Sequence, residues 1–216
     1  LDKKAADGFS TPQCIIALSD IQHQSTVYQR NAERAYDLSA VYADAASVGS
    51  KYEPAIAYVY RKALMIGDDF RKFNPGEDVT RAEMATVIYR YLNTPAVAVN
   101  PGFSDVSSLK WYYNAIAAAK QAGIMVGGAK SFRPNDSVTL AEVAIILSKL
   151  EGLYTMPYAG SNKLADQDAI PESARNAVLR YADLLGEKNA EGVYTVQNRA
   201  ATREEIAYCF CSILNK

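Results

Sequence analysis

Thr80-Arg81-Ala82-Glu83 returns as Thr139-Leu140-Ala141-Glu142 and again as Thr202-Arg203-Glu204-Glu205. The three threonines lie 59 and 63 residues apart. Upstream of each tetrad stands an aromatic or aliphatic residue, a small residue and an aspartate: Tyr42-Ala43-Asp44, Phe103-Ser104-Asp105 and Leu164-Ala165-Asp166, the successive aspartates 61 residues apart. Self-similarity at a fixed period fixes the architecture before any single motif is read. A threefold array in a chain of 216 residues points to a binding or packing module rather than an enzyme.

The tetrad has a direct physical task. A threonine at a helix N-cap accepts a hydrogen bond from a free backbone N–H, and a glutamate three residues on reaches back to the cap's own N–H. Thr80 with Glu83, Thr139 with Glu142 and Thr202 with Glu205 are therefore read as structural capping boxes. An apolar stripe at helical spacing follows each: Met84, Val87, Ile88 and Tyr91; Val143, Ile146, Leu147 and Leu150; Ile206, Cys209, Phe210 and Ile213.

The middle copy predicts two helices. Apolar residues from Trp111 to Ala122 recur at helical spacing. Gly123 follows as a C-cap, where glycine takes the left-handed conformation without steric cost. Ile124-Met125-Val126 reads as a short strand or turn, Gly127-Gly128 breaks the chain, and Phe132-Arg133-Pro134 leads to a second helix over about 140–150. The first copy follows the same plan, with Pro54 to Ala63 broken by Gly67. In the third, a helix runs from Ser173 to Leu185 and Tyr194 takes the place of the phenylalanines. The three aspartates are read as bonding backbone N–H groups in their own turns. Two helices per copy cannot bury their apolar faces alone, so the copies must share a core.

The predicted fold is mainly α: helix-loop-helix repeats over 41–93, 102–151 and 163–216, plus an N-terminal helical segment over 1–40. In that segment Thr11-Pro12 opens one helix, and a second runs from about Thr26 to Val41. Net charge is −1 with no basic stripe, which excludes a nucleic-acid partner. No apolar run approaches the roughly 18 residues of a bilayer span, so no membrane insertion is expected, and a secretory signal is absent or already removed. Cys14, Cys209 and Cys211 read as free thiols, and one histidine, His23, leaves no zinc site and no cofactor to propose.

The three stretches resemble the S-layer homology domain, a repeat that occurs in triplets. The resemblance rests on Phe103-Ser104-Asp105-Val106, Trp111, Ala115-Ile116, Gly123 to Gly127, Phe132-Arg133-Pro134, Val138-Thr139, and the complete Val79 to Glu83 of the first copy. It implies a helical triplet with pseudo-threefold symmetry. It also implies a noncatalytic, extracellular role: anchoring at the bacterial cell surface by binding a secondary cell-wall polysaccharide, often pyruvylated, in grooves between repeats.

Arg81 and Arg203 occupy the first helical position, where a cation opposes the helix dipole by some 0.3–1 kcal/mol. They make sense beside an anion, because helix N-termini present free N–H groups and arginine offers a carboxylate a fork of donors. Trp111 would add an apolar plate for a sugar face. A solvated arginine and a core tryptophan are the competing readings. The copies depart from the family pattern: Leu140 replaces the arginine, Lys51 and Ser173 stand in the tryptophan register, and Asn189 falls where the others have Gly67 and Gly127. Arg81 with Trp111 and Gly127 is then the expected single competent groove, with Arg203 ranked behind it. The alternative is a degenerate structural or protein-interaction module that binds no glycan.

Overall fold

The computed structural model describes residues 37–93 and 99–214. The predicted helices of 1–36 and Cys14 lie outside that range. The expected helix to Val41 does not reach that residue as such: Asp37 caps a three-residue 3-10 turn over Leu38–Ala40.

Seven α-helices form among the described residues: α1 (Glu53–Arg61), α2 (Arg81–Leu92), α3 (Tyr113–Gln121), α4 (Leu140–Leu150), α5 (Glu172–Arg180), α6 (Ala182–Leu185) and α7 (Arg203–Leu214). The chain is mainly helical, as the periodicity predicts. The expected helix from Ser173 to Leu185 is divided at Tyr181 into α5 and α6. Three short strands, β1 (Lys163–Leu164), β2 (Glu187–Lys188) and β3 (Val193–Thr195), make a sheet in the order β1-β3-β2, with β1 parallel and β2 antiparallel to β3. None of the described helices is long and apolar enough to cross a membrane.

The helices pack around a closed ring. The first helix of each unit lies on the second helix of the unit before it: α3 on α2, α5 on α4, and α1 on α7. The last contact joins the third unit to the first. At the axis the segments leading into α2, α4 and α7 exchange backbone hydrogen bonds in a cycle. Val79 N–H donates to Ala201 O (2.9 Å), Ala201 N–H to Val138 O (2.9 Å) and Val138 N–H to Val79 O (2.8 Å). Each step links two units, so the cycle exists only when all three are present. One apolar core runs through the ring, with Ile56, Met84, Ile88, Ile116, Leu147, Val178 and Phe210 all buried.

The capping boxes form as read. Thr80 and Thr139 each accept from the N–H of their glutamate, and Glu83 and Glu142 accept from the N–H of their threonine. Thr202 and Glu205 make the same exchange, at 3.5 and 2.9 Å. Thr139→Ala should destabilise the fold by about 1 kcal/mol, checked by urea denaturation; an unchanged midpoint would show that the cap is replaceable.

The three aspartates also act on backbone donors, and they reach far along the chain. Asp44 accepts from Phe73 and Asn74 N–H, Asp105 from Phe132 and Arg133, and Asp166 from Val196 and Gln197. Each clamp ties the start of a unit to the loop before its second helix. The second residue of each pair, Asn74, Arg133 or Gln197, is held at φ 55, 60 or 50°, a conformation that side chains resist.

These clamps set the register between units and correct three sequence assignments. Val196, not Tyr194, stands where the others have Phe73 and Phe132; Tyr194 belongs to β3. The glycine matching Gly67 and Gly127 is Gly186, not Asn189. A Cβ at Gly67 would lie 2.6 Å from Lys72 O, at Gly127 2.6 Å from Ser131 O, and at Gly186 2.8 Å from Thr195 O, in each case the residue before the clamped pair. The hairpin of β2 and β3 is inserted between glycine and clamp in the third unit alone, which displaced the count. The Trp111 register in the third unit is filled by Ile170, not Ser173, since Lys51, Trp111 and Ile170 each lie two residues before the first helical residue. Ile124-Met125-Val126 runs through a bend and joins no strand. In the first unit the helix ends at Arg61 with Ala63 left-handed at φ 56°, so the break precedes Gly67.

Candidate functional site

Of the sequence-predicted residues, the seams between units hold Arg81, Gly127 and Arg203. At each seam, the first two N–H groups of a second helix meet the preceding loop of a neighbouring unit. Arg81 and Ala82 N–H donate to Asp136 O and Pro134 O, and Arg203 and Glu204 N–H to Glu77 O and Pro75 O. Leu140 N–H donates to Arg199 O, and Ala141 N–H to the Asn198 side-chain oxygen at 3.3 Å. The third N–H is bonded by the threonine. The helix starts therefore offer few open donors, and the expectation of free N–H groups awaiting an anion is corrected.

Arg81 is turned inward. Its side chain is 5% exposed. Nε donates to Phe132 O at 2.8 Å, Nη2 to Val126 O at 3.0 Å and Nη1 to Glu142 Oε1 at 2.5 Å, while the guanidinium lies 4.8 Å from the Phe132 ring centroid. Burial pulls its pKa below the ordinary arginine value, against the raising influence of Glu142. A guanidinium waiting in an open cleft was expected; the structure instead ties the first unit to the second with it, because a neighbouring carboxylate and two carbonyls satisfy it internally.

The same device recurs at the ring-closing seam in looser form. Arg203 Nε donates to Phe73 O at 2.6 Å, the guanidinium lies 5.1 Å from the Phe73 ring centroid, and Nη1 is 3.7 Å from Glu83 Oε1. Its side chain is 14% exposed. At the remaining seam the arginine and phenylalanine are replaced together by Leu140 and Val196, both buried. Glu205 then takes its countercharge from Arg199, whose two terminal nitrogens lie 2.9 and 2.6 Å from the carboxylate. Burial raises the Glu205 pKa, but hydrogen bonds from Arg199 and Thr202 outweigh it, and the net shift is downward. The capping glutamates thus serve twice, as helix caps and as counterions across or within a seam.

Gly127 sits beside Val126, whose carbonyl Arg81 binds, so the structure brings Arg81 and Gly127 together. A Cβ at Gly127 would meet the Phe103 ring at 2.5 Å, so its lack of a side chain serves close packing. Trp111 is 66% exposed, a rare position for an indole, and meets Tyr112 edge-on at 5.2 Å. Its outer face is open. Cys209 is buried and Cys211 half-buried; burial pushes the Cys209 thiol up to about 12, which leaves it inert. The sequence reading missed Arg199 and Gly186. Aligning the three copies on their aspartate clamps rather than on aromatic residues would have found both.

The S-layer homology domain model matches residues 41–85 and 102–144, the starts and seams of the first two units. The chain carries S-layer homology domains. An amylopullulanase from Thermoanaerobacterium thermosulfurigenes is 39% identical over 150 residues, 67% of this chain and 8% of that protein. An exoglucanase from Acetivibrio thermocellus is 36% identical over 149 residues, 67% of this chain and 14% of its own length. An S-layer protein from Bacillus anthracis is 37% identical over 101 residues, 45% of this chain and 12% of its own. The S-layer homology region thus matches a small part of much longer proteins, some named as enzymes and others as S-layer proteins.

Proposed function

We infer that this chain is a noncatalytic anchor that holds a protein on the outer surface of a bacterial cell by binding an anionic secondary cell-wall polysaccharide, a class often pyruvylated, along the seams of its ring. The observation that carries the reading is the match of two consecutive units to S-layer homology domains, which attach proteins to cell walls. Residues 163–216 are read as a third, diverged copy, supported by the shared clamp, capping box and ring packing. Trp111 supports a saccharide partner, because an open indole face suits the apolar face of a sugar. Absence of catalysis is supported by the repeated acids, which are engaged as clamps and caps.

The inward turn of Arg81 and Arg203 favours a second reading, a structural module without glycan affinity. Binding of the full chain to purified sacculi of Lysinibacillus sphaericus, whose surface-layer protein is a 31% identical relative, separates the two. The anchor reading expects co-sedimentation with native sacculi and loss of it once hydrofluoric acid has stripped the secondary polymer. Equal sedimentation with both, or with neither, overturns it.

A further inference from the structure

We propose that a cavity of about 260 Å³ in the third unit binds an alkylammonium group, the head and methylene stem of a lysine-type ligand. Ser212 and Ile213 of α7, Asp183 and Leu184 of α6, and Glu151 and Leu153 just past α4 line it. The internal register shows what is missing there. Arg90, Lys149 and Ser212 each stand ten residues after their capping threonine. Arg90 Nη1 donates to Leu64 O at 3.0 Å and Lys149 Nζ to Gly123 O at 2.9 Å. In the first two units, then, a cation on the second helix crosses to a carbonyl just past the end of the first. In the third unit the serine is too short to cross, and its Oγ donates to Tyr208 O on its own helix at 2.8 Å. The cavity lies between Ser212 and the end of that unit's first helix, on the path those cations take in the other two.

The surroundings favour positive charge. Residues at the ends of α4, α5 and α7, which close at Leu150, Arg180 and Leu214, meet at the cavity, and a helix C-terminus carries about half a negative charge. Two carboxylates line it, Glu151 and Asp183, against one guanidinium, Arg180, whose Nη2 donates to Met156 O at 2.9 Å. Glu151 accepts from the Tyr181 hydroxyl at 2.5 Å, and Asp183 from that of Tyr194. A carboxylate offers about four acceptor sites, so one phenol does not exhaust it. Burial and the Glu151 carboxylate raise the Tyr181 pKa, which keeps that phenol neutral. Lys188 also feels Asp183, but it sits over the Tyr194 ring at 5.1 Å and does not line the cavity. Asp183 itself is a departure. In its register the other units bury Leu64 and Ile124, whereas α6 adds a helical turn, closed by Gly186 N–H on Ala182 O at 3.0 Å, and leaves Asp183 exposed. Leu153, Leu184 and Ile213 supply apolar walls for a methylene stem whose charged head stays among polar groups.

The site goes beyond the anchor reading and does not rest on it. The test titrates the full chain with butylammonium and with butanol, following the methyl NMR signals of Leu184 and Ile213. Wild type, Asp183→Asn and Ser212→Lys are compared, with a thermal melt of each. Asparagine still accepts from Tyr194, and lysine restores the cation of the other units. Saturable shifts with butylammonium are expected in the wild type, with about tenfold weaker binding of butanol and about tenfold weaker binding of the amine by Asp183→Asn. Ser212→Lys should bind no butylammonium and melt no earlier than wild type. Equal affinity for the alcohol makes the cavity merely apolar and overturns the assignment. Wild-type affinity in Asp183→Asn, amine binding that survives in Ser212→Lys, or a wild type that shows no saturation overturns it too. The amine and alcohol are compared on the wild type alone, so an early-melting variant does not blunt the test.

Discussion

Arg81→Met should destabilise the module by about 3 kcal/mol, the largest expected effect of any seam substitution, and lower its melting midpoint by roughly 10 °C at this chain length. Methionine keeps the aliphatic stem on Phe132 but strands the Glu142 carboxylate and the carbonyls of Phe132 and Val126, which Arg81 now satisfies. Glu142 is one-third exposed, and water reaching it holds the loss to the lower end of what a severed buried pair costs. The measurement is a differential scanning melt of Arg81→Met, Glu142→Gln and the double variant. A double variant much less damaged than the sum of the singles is expected, because the two groups act as one pair. An arginine that merely awaited a ligand would leave the melt unmoved, since surface substitutions stay within about 0.5 kcal/mol.

Gly67→Ala should cost about 3 kcal/mol, summing the strain of a left-handed alanine with overpacking. Gly67 has φ 80°, and an added Cβ would lie 2.6 Å from Lys72 O and 2.7 Å from the Tyr42 ring. Neither neighbour can withdraw cheaply: Lys72 immediately precedes the Asp44-clamped pair, and the Tyr42 ring is buried against Phe73 at 5.4 Å. Gly76→Ala, where a Cβ meets nothing within 4 Å, is the matched control and should move the melting midpoint little. Similar midpoints for the two variants would refute the close-packing account of Gly67.

What could be read from the sequence was what repeats locally. The Thr-x-x-Glu boxes, the left-handed Gly123 and the apolar stripes depend on residues a few positions apart, and periodicity reveals them. The aspartates were assigned to backbone N–H groups of their own turns, whereas the donors lie some thirty residues further along each unit. Arg81 was misjudged because its partners, Glu142, Val126 and Phe132, belong to the next unit, and a repeat read alone contains no information about its neighbour. A coupled signal was nevertheless present. The copy with Leu140 in place of arginine faces a unit with Val196 in place of phenylalanine, and that unit supplies Arg199. The third unit's register was lost to the β2-β3 hairpin, whose Tyr194 imitates the missing aromatic.

The cyclic exchange among Val79, Ala201 and Val138 has a bearing on how the module comes apart. With every bond in the cycle shared by two units, removing any one unit breaks two of the three links and opens core to water along both of its flanks. Damage that unfolds one copy is therefore expected to take the other two with it, so the module is lost as one cooperative unit rather than worn away copy by copy.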